Sequence, residues 1–338
     1  MYKSFRDIFR AMGLCSAAAL LAAGAYAQSP SPSESVGDWP SKPVRLIIPA
    51  PAGGGTADPL GRLLAGGLEK IWNQRVLVDN KPGANGVIAG TAAARSTPDG
   101  YTFLMAPAAH LTTNLLLVKS MPWHPQKSFD PVVLFGTVPI VLAVNNKLPV
   151  TDLPSFIAYA KAHPKAVNFG STGNGAASHL SGELLMQVTG APLVHIPYVA
   201  PGQATTDVIA GNLQATFQLL PGILGQVKSG LLRPIAVLSK TRSSTLPEVP
   251  TTAEGGAPTV LADSWFGIVA PKGTPPEIVS KLNADINKLL KTPEFIQQMQ
   301  RLGTEPLGGT QAEFAGFLST EIERWGDIVR AAKIQLPQ

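Results

Sequence analysis

Two glycine-rich loops, each leading from an apolar strand into a helix-spaced run, constrain this chain more than any other feature. Val44-Arg45-Leu46-Ile47-Ile48-Pro49 reads as a strand and Ala52-Gly53-Gly54-Gly55-Thr56-Ala57 as a loop. Leu60, Leu63, Leu64 and Leu68 then fall on one helix face. Asp58-Pro59 marks the start of that helix, with Asp58 as N-cap and Pro59 at the first helical position. The same order returns at Val167-Asn168-Phe169, the loop Gly170-Ser171-Thr172-Gly173-Asn174-Gly175, and a helix from His179 to Val188 with Leu180, Leu184, Leu185 and Val188 inward. A third, weaker instance joins His195-Ile196-Pro197-Tyr198 through Ala200-Pro201-Gly202 to a helix near Thr205 to Ala210. Strands alternating with helices predict an α/β fold with largely parallel sheet.

Further strands are expected at Tyr101 to Met105, Ile140 to Val144, Leu213 to Leu219, Pro234 to Leu238 and Phe266 to Ala270. The tail reads as helical: Ile278, Leu282, Ile286 and Leu289 keep helical spacing. Thr310 with Glu313 forms a capping-box start for a helix carrying Phe314, Phe317, Leu318, Ile322, Trp325 and Val329. If these helices return to the first sheet, the middle of the chain becomes an inserted lobe, with crossings near Gly136 to Ile140 and Thr259 to Trp265. The expected division is residues 39–138 plus 264–338 in lobe 1 and 139–263 in lobe 2. Two crossings make a hinge, and a ligand would lie between the lobes, outside the carboxyl ends of the strands.

The N-terminus carries Lys3, Arg6 and Arg10, an apolar stretch from Ala11 to Ala25, and the triplet Ala25-Tyr26-Ala27. That order is a secretory signal peptide, residues 1–27, with cleavage expected after Ala27 and a flexible N-terminus over 28–38. Cleavage removes Lys3, Arg6, Arg10 and Asp7 and brings the formal charge of +5 closer to balance. No Lys/Arg block is interleaved with aromatics, so nucleic acid is not an expected partner. The single Cys, Cys15, lies in the signal, which leaves no disulfide, thiolate metal site or Cys nucleophile in the mature chain. The apolar run Val132 to Val144 is broken by Gly136, Thr137 and Pro139 and is too short to span a bilayer.

Each glycine-rich loop would bring backbone N–H groups and a helix N-terminus, carrying about half a positive charge, to the cleft mouth. A ligand with two anionic ends could bridge the lobes, although the same glycines would serve plain tight turns. Neither G-x-G-x-x-G nor a P-loop motif is present, and no cofactor or metal is expected. His110, His124, His163, His179 and His195 are isolated from one another in sequence; His179 and Glu183 stand one helical turn apart without a third metal ligand. Ser171 lacks the G-x-S-x-G elbow and a marked base, so an enzyme is not expected, and a hydrolase using Ser171 and a His is kept as an alternative. Trp265 and Tyr198 read equally as cleft walls or core, the Trp325 stripe as core, and Gln218 as a cleft contact or a satisfied strand-end residue.

Several segments together resemble the extracytoplasmic solute receptors of tripartite tricarboxylate transporters, the Bug-type receptors, over nearly the whole mature chain. They are Trp39-Pro40 through Ile48, Gly53-Gly54 with Asp58, Asn80-Lys81-Pro82-Gly83-Ala84, Pro98-Asp99-Gly100-Tyr101-Thr102, Gly173-Asn174-Gly175 with Ser178-His179-Leu180, His195-Ile196-Pro197-Tyr198, Leu246-Pro247-Glu248-Val249-Pro250-Thr251 and Ser264-Trp265-Phe266-Gly267. The resemblance implies a periplasmic binding protein of the type 2-like, Venus-flytrap kind, with two α/β lobes and a ligand cleft between them. It implies that Gly53, Gly54, Gly55, Thr56, Ala57 and Asp58 hold one carboxylate and that Ser171, Thr172, Gly173, Asn174, Ser178 and His179 face it. Ala108, Ala109, His110, Tyr198, Ala200, Pro201, Gly202 and Gln203 would complete the pocket. Gln218 stands where many relatives carry an acid, which disfavours an ammonium-bearing ligand here. Ala106-Pro107-Ala108-Ala109 is more apolar than usual, so aliphatic and aromatic dicarboxylates, terephthalate among them, are both open. The implied partners are a small carboxylate and the membrane permease subunits, with a sensor-kinase ectodomain as a further candidate and a monomer as the expected state.

Overall fold

The computed structural model describes residues 38–53, 56–198 and 201–332, and the architecture is that of the unit beginning at Pro40. The expected signal peptide and the stretch after it, through residue 37, lie outside the described residues. In chain order the elements are β1 (Val44–Ile48), α1 (Ala57–Trp72), β2 (Val76–Asn80), α2 (Val87–Ala94), β3 (Thr102–Pro107), α3 (Ala108–Leu111), α4 (Asn114–Leu117), α5 (Pro125–Ser128) and β4 (Phe129–Val138). Then come β5 (Ile140–Asn145), α6 (Leu153–Ala162), β6 (Asn168–Ser171), α7 (Ala177–Thr189), β7 (Val194–Pro197), α8 (Pro201–Ala210), β8 (Ala215–Leu219), α9 (Leu220–Lys228) and β9 (Leu232–Val237). The chain closes with β10 (Ser264–Pro271), α10 (Pro276–Leu289), α11 (Pro293–Arg301), β11 (Glu305–Pro306) and α12 (Gln311–Ala331).

These strands form two sheets, β11-β4-β10-β3-β1-β2 and β7-β6-β8-β5-β9. Both are mixed, which corrects the expectation of largely parallel sheet. β1 is parallel to β2 and β3, and β6 is parallel to β7 and β8. β10 runs antiparallel to β3 and β4, and β5 antiparallel to β8 and β9. The cause is the hinge. Pro139 alone joins β4 to β5, and Ser264 at the start of β10 pairs with Val138 at the end of β4. A strand entering a sheet from the other lobe starts where its neighbours end, so it runs against them.

The run Val132 to Val144 becomes the end of β4 and most of β5. β5 is buried along its whole length. Ile140, Leu142 and Val144 pack into one core, while Val141 and Ala143 pack into another on the opposite face. This period of two identifies an interior strand covered on both sides. Among the described residues no helix is long and apolar enough to cross a membrane.

The last helix departs from its expected place. Phe314 and Leu318 join the first sheet's core with Trp123, Phe129 and Trp265, yet Trp325, Ile328 and Val329 belong to the second sheet's core with Phe169 and Phe217. Its 21 residues span about 30 Å at 1.5 Å per residue, enough to reach both. Buried Glu321 marks the changeover: Oε2 accepts from the indoles of Trp265 and Trp325, each at 2.9 Å, and Arg324 donates to both carboxylate oxygens. Close approach explains Gly267, where a Cβ would lie 2.2 Å from Phe314 Cζ.

Candidate functional site

The first glycine-rich loop follows β1, and its neighbour β3 delivers α3 at the same sheet end. Asp58 is not the N-cap of α1. Thr56 holds that position, with no side-chain cap bond, and Asp58 and Pro59 are the second and third helical residues. The Asp58 carboxylate turns inward, where it is almost fully buried. Its Oδ2 accepts from Gly53 N at 2.8 Å and Arg62 Nε at 2.9 Å, and its Oδ1 from Asn80 Nδ2 at 2.8 Å. Burial pushes its pKa upward, but Arg62, Asn80 and the Gly53 amide together outweigh this and hold it below the ordinary value. Asp58 therefore fixes the loop. Gly53 has φ 71°, a left-handed conformation that a branched residue resists. Gly54 and Gly55 lie outside the described residues.

The second loop is held by hydroxyls, an imidazole nitrogen and a backbone carbonyl. Thr172 N donates to Ser178 Oγ at 3.0 Å, Gly173 N to Ser171 Oγ at 3.1 Å, Gly175 N to His179 Nδ1 at 3.0 Å, and Ala176 N to Gly173 O at 3.2 Å. Most of its amides are thus engaged within the protein, contrary to the expectation that the glycines leave them open. The exception is the helix itself. Ala176 caps α7 without a side-chain bond, so the amides of Ala177, Ser178 and His179 have no intrahelical acceptor. Thr172 and Gly173 are half-buried and Asn174 is exposed, while Ser171, Ser178 and His179 are buried.

Two histidines that sequence spacing separates come together here. The rings of His179 and His195 stack at 3.7 Å and 10°, Ser171 Oγ lies 2.6 Å from His195 Nε2, and His179 Nε2 is 3.3 Å from Glu183 Oε1. Parallel β6 and β7 place Ser171 opposite Pro197, two residues from His195. Burial, aided by the neighbouring imidazole, pushes the His195 pKa down to about 4. Ser171 and His195 have the spacing of a nucleophile and base, but Ser171 is fully buried, and Glu183, the nearby carboxylate, faces His179. A nucleophile needs an accessible oxygen and an oriented base; this serine instead anchors the loop. Among the described residues no cluster of three metal-ligating side chains occurs.

Of the other expected site residues, Ala108 and Ala109 on α3 meet Ala177 and Leu180 of α7 across a narrow crevice floored by Asp263 and Trp325. His110 turns toward Gly86, where a Cβ would strike its ring. Its Nδ1 is buried without a partner among the described residues, and burial lowers its pKa to about 4. Tyr198 O–H donates to Asp207 Oδ2 at 2.6 Å, and its amide donates to Ser171 O; the Asp207 bond raises the phenol to about 12. Pro201 opens α8, with Gly202 and Gln203 exposed in its first turn, and Ala200 lies outside the described residues. Gln218 is buried on β8, on the face it shares with Thr216. Sequence reading missed Arg62 and Asn80 as loop partners and His195 as a partner of Ser171.

Two mixed α/β sheets joined by a hinge, with a loop–helix junction on each side, define a two-lobed binding protein of the Venus-flytrap class. Residues 60–334 match the model of the tripartite tricarboxylate transporter family receptor, and the chain belongs to that family. It is 39% identical over 303 residues to protein BugT of Bordetella pertussis, covering 89% of this chain and 93% of that one. Among solved structures, an R. palustris protein with adipate matches with TM-score 0.76 at 34% identity, over 88% of this chain and 100% of that one. MatC from Rhodopseudomonas palustris with bound malate matches with TM-score 0.70 at 27% identity, over 86% and 100%.

Proposed function

We propose that this chain is a periplasmic receptor that captures a small dicarboxylate between its lobes and presents it to the membrane permease subunits of a tripartite transporter. The observation that carries this reading is the pair of helix N-termini, α1 and α7, each following a glycine-rich loop and neither capped by a side chain. Each offers amides and a positive dipole end to one carboxylate. Adipate and malate, bound by two relatives, are both dicarboxylates, and the apolar Ala108 and Ala109 leave room for an aliphatic or aromatic body such as that of terephthalate. The lobes divide as residues 39–138 plus 264–338 and 139–263, with α12 crossing between them. The leader 1–27 directs export, the receptor acts as a monomer, and Gly53 to Asp58, Ser171 to His179, Tyr198 and Gly202-Gln203 frame the cleft. Docking of the liganded receptor on a sensor kinase would use the same closed form.

Closure shifts a pre-existing equilibrium through the ligand's better fit to the closed state. The test is small-angle scattering with thermal unfolding of refolded protein against adipate, malate, terephthalate, monocarboxylates and amino acids. A dicarboxylate should contract the particle and, at about 100 times its Kd, add about 2.7 kcal/mol. An unchanged shape and a flat panel would sink the receptor reading. The 2.6 Å contact of Ser171 with His195 favours a hydrolase as the second reading, and ester turnover abolished by Ser171→Ala would establish it.

A further inference from the structure

A cavity of about 580 Å³, within the range of small-molecule sites, is lined by the crossing residues Thr137 and Pro139, by the segment after β9 and by β11, and by no residue of either glycine-rich loop. Asp263 lines it. The Asp263 carboxylate accepts from the Ser239 hydroxyl, and Thr137, whose hydroxyl donates to the Ser264 carbonyl, stands beside it. Thr137 lies in β4, Ser239 just past β9 and Asp263 just before β10, so one side chain ties together the strands that pass between the lobes. Trp265, Phe317, Leu134 and Leu307 supply apolar walls.

The charges around this cavity do not cancel. Arg324 is satisfied by Glu321 and the Leu261 carbonyl, and Arg242 by Glu254 and the Pro247 carbonyl. That leaves Lys240 as one cation for two lining carboxylates, Glu305, which accepts from Ser244, and Asp263. Asp263 accepts from the Ser239 hydroxyl and feels Arg324 without forming an ion pair with it among the described residues, an expensive state for a desolvated carboxylate. We propose that this cavity is a second binding site, for a small organic cation whose ammonium seats on Asp263 while an aromatic or aliphatic body lies against Trp265 and Phe317. Aromatic faces add cation–π attraction to the ion pair. Asp263 also lines the crevice between α3 and α7.

Burial pushes the Asp263 carboxyl up to about 7, against the opposing pull of Ser239, Thr137 and Arg324 and with Glu321 reinforcing it. An ammonium that requires the ionised form therefore binds about tenfold more tightly at one pH unit above that value than at one unit below it. The probe is benzylammonium, titrated calorimetrically into the full mature chain beside benzyl alcohol and phenylacetate. The cation should bind at least tenfold more tightly than either analogue. Asp263→Asn should weaken it at least tenfold and abolish its pH dependence. Leu307→Arg, at a half-exposed lining position that does not threaten the fold, should weaken it about threefold by adding positive charge. Benzylammonium binding no better than benzyl alcohol, or binding unchanged in both variants, would overturn the site.

Discussion

The two loop–helix junctions solve one problem with opposite chemistry. Both present an uncapped helix N-terminus, and both must keep a glycine-rich backbone from collapsing onto it. The first is pinned by an ionised network in which the Asp58 carboxylate gathers Gly53, Arg62 and Asn80. The second is pinned by neutral hydroxyls and stacked imidazoles, with Ser171 on His195 and His179 on Gly175. A carboxylate is tolerated in this buried place because three donors, the Gly53 amide, Arg62 and Asn80, converge on it. At the second junction burial and the neighbouring imidazole lower the His195 pKa to about 4.

Removing the anchor at each junction gives the largest expected contrast. Asp58→Ala leaves the Gly53 amide without its acceptor, while Asn80 keeps the Ala50 carbonyl and Arg62 keeps Asn80 Oδ1; because Arg62 is half exposed its freed Nε rehydrates. The expected cost is about 2–3 kcal/mol, read from urea unfolding. Ser178→Ala, which removes one neutral acceptor from Thr172 N, should cost about 1 kcal/mol. Equal losses would mean that charge plays no special part in holding the first loop.

Acid sharpens the comparison next. The folded His195 value of about 4 lies below its ordinary 6.5, so the unfolded chain takes up the proton first. Stability from this group is therefore complete above 6.5 and is lost as pH falls toward 4. Asp58 lies below its ordinary 3.8, so its contribution survives that window and fades only under stronger acid. Asp263 acts in the other sense, since a raised carboxyl loses its contribution as pH rises through about 7. In urea unfolding, His195→Gln should flatten the decline between 6.5 and about 4 relative to the parent. Because His110 titrates in the same window, part of the decline will persist. Parallel curves for the two proteins would remove His195 from the account.

What sequence could show follows from what is local. The β1 and β6 strands, the glycine turns and the Thr310–Glu313 capping box, formed as expected, are written in contiguous residues. β2, β4, α2, α6, α9 and α11 fall outside the expected elements, because short apolar runs, some broken by Pro as in Asp130-Pro131-Val132, carry weak periodicity. The path of α12 was half legible: its apolar stripe is plain, but nothing in it tells that Phe314 and Trp325 serve different cores. The Asp58 error has the same root, since an Asp before Pro looks like a cap until Arg62 and Asn80 are placed. His195 stayed hidden because its partner Ser171 stands 24 residues away, and only the parallel register of β6 with β7 brings them together.

Tyr198 gives the smallest and most discriminating test. Its amide belongs to the second junction through Ser171 O, whereas its hydroxyl leaves the junction for Asp207 on α8. That acceptor is only half-buried and also receives Asn212, so water can replace the phenol at little cost. Tyr198→Phe should therefore leave unfolding almost unchanged and alter dicarboxylate affinity by no more than about twofold. A loss of tenfold or more would show that the hydroxyl, through α8, sets where Gly202 and Gln203 stand, and the second junction would then have to include that helix as a third support.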